Sequence, residues 1–107
     1  MAEVIWTKPA LNDLDAIADY IALDKPDAAS RVVQRIFAHV EKLKKHPELG
    51  PRIPGLSPGS RYRQIVEAPC RVFYRYEQQS GRVFVLGVMR GEKLFDGDLL
   101  DSRDQEM

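Results

Sequence analysis

The run Val83-Phe84-Val85-Leu86-Gly87-Val88-Met89 is apolar at every position. A strand of that composition is usually central and covered on both faces. It closes a stretch, Arg61 to Arg90, that reads as three antiparallel strands in succession, roughly Arg61–Glu67, Cys70–Glu77 and Arg82–Met89. The same stretch holds Arg61, Arg63, Arg71, Arg75, Arg82 and Arg90 against Glu67 and Glu77 alone. The rest of the chain must cover one face of these strands and answer the charge on the other.

The cover is legible upstream. Glu3-Val4-Ile5-Trp6 is short, β-branched and aromatic, and reads as a strand. Thr7 and Pro9 then mark a helix start, and Leu11, Leu14, Ile17, Ala18 and Ile21 recur at helical spacing. Asp24-Lys25-Pro26-Asp27 breaks that stripe and starts a second helix, with Asp24 as its expected cap. Its stripe is Ala29, Val32, Val33, Ile36, Phe37, Val40 and Leu43, and His46-Pro47 ends it. Residues 47–60 are too rich in proline and glycine for a regular element, with Ile53 and Leu56 as possible anchors. The order β-α-α-β-β-β predicts an α+β fold, a helical hairpin on one face of a small, mostly antiparallel sheet.

At 107 residues the chain has room for one core. That core is assigned to residues 1–95, and the acidic, weakly hydrophobic segment 96–107 is expected to be a flexible tail that could screen the sheet. No apolar run is long enough to span a membrane, no secretory signal is evident, and Cys70 stands alone, so a cytoplasmic location is expected.

Strand pairing sorts the arginines. If Glu77 faces Arg82, then Tyr76, Tyr74 and Val72 meet Val83, Val85 and Gly87 beneath the helices. Arg75, Phe73 and Arg71 then meet Phe84, Leu86 and Val88 on the other face, with Arg90 following on that side. Proline cannot take positive φ, so Ala68-Pro69 is expected to sit in a three-residue loop with Val66 opposite Cys70. That register adds Arg61, Arg63 and Ile65 to the uncovered face and turns Gln64, Tyr62, Tyr74 and Tyr76 toward the helices. Arg61, Arg63, Arg71, Phe73, Arg75 and Arg90 become the expected binding surface for an anion or an acidic partner.

Motif chemistry is thin. There is no phosphate loop, nucleophile elbow or Cys/His metal spacing, and His39 and His46 lack further ligands, so neither a metal nor another cofactor is expected. RNA cleavage needs a proton acceptor and a proton donor besides phosphate-stabilising charge. Arginine holds its proton too tightly for either role. Glu67, Glu92 and Lys93 are the remaining candidates, with no His or Tyr placed beside them, which favours binding over catalysis.

The chain resembles the RelE/ParE superfamily of toxins from bacterial type II toxin–antitoxin systems. The resemblance rests on V-I-W-T-x-x-A-x-x-D-L-x-x-I-x-x-Y-I (Val4 to Ile21), Pro26-Asp27-Ala28-Ala29 and H-P-x-x-G (His46 to Gly50). It rests further on R-Q-I-V-E-A-P-C-R-V-F-Y-R (Arg63 to Arg75) and V-L-G-V-M-R (Val85 to Arg90). It implies a cognate antitoxin, encoded beside the toxin, that wraps a helix and an extended segment around it, and an oligomer formed with it. RelE-like members cleave mRNA in the ribosome with basic residues and a C-terminal Tyr or His, whereas ParE-like members lack these and poison DNA gyrase. Arg71 and Arg63 match the family's strand arginines, Arg90 stands where many ParE-like members have histidine, and Phe95 stands near the place of the nuclease tyrosine. The resemblance is therefore closer to the ParE-like branch, with gyrase as the implied target. The alternatives are a ribosome-dependent endoribonuclease using Arg63, Arg71, Arg90 and Lys93, and an inactive toxin fold that only binds antitoxin.

Overall fold

The computed structural model describes residues 1–91 and 97–105. Strand β1 (Glu3–Trp6) leads into helix α1 (Lys8–Ala22), and α2 (Pro26–Glu41) returns and tightens into a single 3₁₀ turn over Lys42–Lys44. Strands β2 (Tyr62–Glu67), β3 (Cys70–Glu77) and β4 (Arg82–Arg90) follow, and a third helix, α3, spans Gly97–Gln105. The sheet order is β1-β4-β3-β2, with β1 parallel to β4 and the other pairs antiparallel. The apolar strand β4 is thus central, and the α+β expectation of a helical hairpin on a mostly antiparallel sheet holds.

Local chemistry accounts for the helix ends. Thr7 Oγ1 accepts from the Ala10 N–H and donates to the Val85 carbonyl at 2.7 Å, so one hydroxyl caps α1 and ties it to β4. At α2 the expected Asp24 cap is not used. Lys25 holds the cap position without a side-chain bond, and Pro26 opens the helix where no N–H is needed. Leu14, Val32, Ile36, Val40 and Leu43 pack on Ile65, Val72, Tyr74, Val83, Val85 and Val88. Phe37 stays 40% exposed, set against the half-buried Trp6 with ring centroids 4.8 Å apart.

Two register changes redistribute the side chains. The Ala68–Pro69 bond is cis, so a two-residue turn closes β2–β3 without positive φ, and Glu67 rather than Val66 faces Cys70. Every β2 side chain is therefore on the opposite face from the one expected. Ile65 enters the core opposite Val72, Arg63 joins Tyr74 on the helix side, and Tyr62 joins Arg75 on the far side.

The second change is a bulge in β4. Pairing runs as expected from Glu77–Arg82 to Tyr74–Val85, and then Phe73 meets Gly87. Leu86 is the extra residue, and beyond it Val72 pairs with Val88, Arg71 with Met89 and Cys70 with Arg90. Arg90 consequently crosses to the helix side, where its guanidinium carbon lies 4.4 Å from the centre of the Tyr20 ring.

Candidate binding site on the arginine face

On the far face of the sheet, Ile53, Tyr62, Phe73, Leu86 and Leu100 form a second buried cluster with Leu56, Phe84 and Met89 at its margin. Arg75 lies across Phe84, with its guanidinium carbon 4.8 Å from the ring centre, and Arg71 lies across Phe73 at 5.3 Å. Flat guanidinium groups stack on aromatic rings in this way while keeping their N–H edges for acceptors.

The acceptors come from α3. Asp104 is inserted so deeply that its side chain is 3% exposed, and it takes Arg75 Nε at 3.0 Å and Arg61 Nη2 at 2.7 Å. The Tyr62 hydroxyl lies 2.6 Å from Asp101 Oδ1 and 3.3 Å from Asp104 Oδ2. A buried carboxylate is tolerated because two arginines and a phenol saturate it. Burial first, and then the bond to Asp101, push the Tyr62 phenol up to about 12. A phenol held there stays protonated at neutral pH and acts as a hydrogen-bond donor.

Of the residues expected on this face, Arg61, Arg71, Phe73 and Arg75 are there, and Arg63 and Arg90 are not. The Arg63 guanidinium instead donates to the Gly50 carbonyl at 2.9 Å, beside the Tyr74 hydroxyl, which accepts from the Gly50 N–H. A β-carbon at position 50 would lie 2.3 Å from the Gln64 carbonyl oxygen, which explains the glycine of the H-P-x-x-G motif. Lys93, Glu92 and Phe95 fall outside the described residues.

Residues 97–105 correct the flexible-tail expectation for that part of 96–107. The segment is helical, with Leu100 and Asp104 buried. Its acidic, weakly apolar composition hid the helix, because Leu100 is its one fully buried apolar side chain and its other contacts with the sheet are polar, among them those to Arg61, Tyr62 and Arg75. The signal that could have found it is Leu100 and Asp104 one turn apart, an apolar anchor and an acid on one helix face. Tyr62, Asp101 and Asp104 belong to the site and were missed by sequence reasoning. Among the described residues no cluster of His, Cys, Asp and Glu could hold a metal ion.

The model of the ParE toxin of type II toxin–antitoxin systems, parDE, matches residues 4–95. Y4kP of Sinorhizobium fredii is 38% identical over 88 residues, 82% of this chain and 86% of that one. Toxin RelE2 of Caulobacter vibrioides is 35% identical over 94 residues, covering 88% of this chain and all 100% of its own length. Among solved structures, the chromosomal ParDE system from P. aeruginosa superposes with a TM-score of 0.70 at 29% identity, over 86% of this chain and 98% of that one. The isolated E. coli RelE toxin has the same fold, with a TM-score of 0.54 at 13% identity and both chains fully covered. The chain belongs to the ParE toxin family of type II toxin–antitoxin systems, within the RelE/ParE superfamily.

Proposed function

We propose that this toxin acts by binding a target such as DNA gyrase, without cutting nucleic acid, and that a cognate antitoxin neutralises it by assembling with it. The state of the arginine face supports this reading. Arg61, Arg71 and Arg75 present only donors, Tyr62 donates as well, and the carboxylates of Asp101 and Asp104 are already engaged. Such a face can grip an anion, yet the described residues offer no disengaged base beside it. The expected outcome is inhibition of gyrase supercoiling by the purified chain, relieved by the antitoxin, with a DNA-damage response after expression. Normal supercoiling at saturating folded toxin would remove gyrase as the target.

A second reading is a ribosome-dependent endoribonuclease, which Tyr62 between Arg61 and Arg75 favours. It requires codon-positioned mRNA cuts after induction, and those cuts should vanish in Arg71→Ala. Mapping transcript 5′ ends separates the two readings, because a binding toxin leaves no such ends.

A further inference from the structure

Beside the arginine face lies a site of the opposite charge. Asp13 on α1 and Gly87 in β4 form a notch that holds the Arg103 guanidinium. Arg103 Nη1 is 2.6 Å from Asp13 Oδ2, and Nη2 is 3.1 Å from Asp13 Oδ1, a two-point clasp. The same Nη1 donates to the Leu86 carbonyl at 2.9 Å. Asp13 is itself aimed by the Val88 N–H, which donates to Oδ2 at 3.0 Å. The floor is Gly87, where a β-carbon would stand 2.7 Å from Arg103 Nη1. Carboxylate, carbonyl, orienting amide and a missing side chain together fit a planar guanidinium, with its several fixed donors, better than a lysine ammonium.

The parts of this notch differ in origin. Asp13, Leu86, Gly87 and Val88 lie inside the family match to residues 4–95, and their occupant, Arg103, lies outside it. A cleft of about 390 Å³ opens alongside, lined by Ile17, Tyr20, Met89 and Leu99 as well as by Asp13 and Arg103. Leu99 is 40% exposed there, so the cleft has apolar wall to spare for a longer segment.

We propose that the Asp13–Gly87 notch is a guanidinium receptor for an arginine on a helix of the cognate antitoxin, and that Arg103 occupies it in the free chain. α3 shows the chemistry a partner helix must present, namely a leucine followed by an arginine three residues on and an acid four residues on, as in Leu100, Arg103 and Asp104. The leucine enters the far-face cluster, the arginine takes Asp13, and the acid takes Arg61 and Arg75. An internal occupant lowers the apparent affinity of an external one by the fraction of time it holds the site. The partner's identity rests on the antitoxin reading above, whereas the receptor itself does not.

Two measurements on the full chain test this. In Arg103→Ala, or in the milder Arg103→Gln, N-acetyl-arginine amide should shift the Gly87 and Val88 amide resonances saturably. The citrulline analogue should not, and Asp13→Asn on the same background should abolish the response. No saturable arginine-specific shift in either folded variant overturns the receptor. In the second measurement, the product of the adjacent antitoxin gene should bind Arg103→Ala about tenfold more tightly than the parent, with the gain lost on adding Asp13→Asn. Equal or weaker binding by Arg103→Ala overturns the antitoxin's arginine as the occupant. An adjacent product that binds none of the variants defeats the antitoxin reading itself, and that result is distinguishable because the amide shifts are read without it.

Discussion

The two faces of the sheet are covered by different physics. Beneath α1 and α2 the contacts are aliphatic and aromatic, from Leu14, Val32, Ile36, Val40 and Leu43 to Val72, Tyr74, Val83 and Val85. Beneath α3 one buried leucine is joined by Asp104 on Arg61 and Arg75, Asp101 on Tyr62, and Arg103 on Asp13. Burial of apolar area is non-directional and stabilises the whole fold. Buried ion pairs roughly break even against the water they give up, but they fix which partner sits where. One cover therefore supplies burial that stabilises the fold, and the other rests on directional contacts between named side chains.

Damage to each cover in turn should have separate consequences. Ile36 is fully buried, and Ile36→Ala should lower global stability by about 3 kcal/mol, read as a shifted denaturant midpoint at unchanged slope. A loss below about 1 kcal/mol would mean that the hairpin face is not the main source of stability. Gly50→Ala comes next. Its new methyl meets the Gln64 backbone rather than a yielding side chain, so it should cost about 2 kcal/mol. Wild-type stability in that variant would show that residues 47–60 can shift away from β2.

Asp104→Asn tests the other cover. It leaves Arg61 and Arg75 facing a neutral amide, and should weaken α3 docking by about 2 kcal/mol while the hairpin face is untouched. Hydrogen exchange should accelerate in Gly97–Gln105 and stay unchanged in α2 and β4. Uniform acceleration across all elements would show that the two covers form one cooperative unit.

This division also explains what could be read in advance. Elements whose partners are apolar announce themselves by period, which is why β1, both hairpin helices and the three later strands stood out within a residue or two. The pairing between them was harder, because it turns on backbone features with weak side-chain signatures. The cis bond at Ala68–Pro69 and the extra residue at Leu86 each moved a set of side chains across the sheet. They sent Arg63 and Arg90 away from the expected site and brought Tyr62 into it. Ile65 was a usable warning, since the expected register left it on the charged face with Gln64 beneath the helices. Helix α3 was illegible for a further reason: a helix that docks by charge carries no apolar stripe, and its composition matches that of a solvated tail.

The smallest expected effect is a titration, and it isolates the polar cover without a mutation. The Tyr62 phenol is pushed from an ordinary 10.0 up to about 12, by burial first and then by its bond to Asp101 and the charge of Asp104. The folded state thus binds this proton more tightly than the unfolded chain does. Its contribution is fully present below pH 10 and is lost as pH rises toward 12. Ionising Tyr62 puts a third negative charge beside Asp101 and Asp104, so the bond that is lost belongs to α3. Phenolate absorbance followed alongside hydrogen exchange should show α3 loosening as the last tyrosines ionise. In Asp101→Asn the same transition should move to lower pH, because the group that holds the phenol proton has lost its charge. An unmoved transition would leave burial and the charge of Asp104 as the cause, and Asp101 would then have no electrical grip on the phenol.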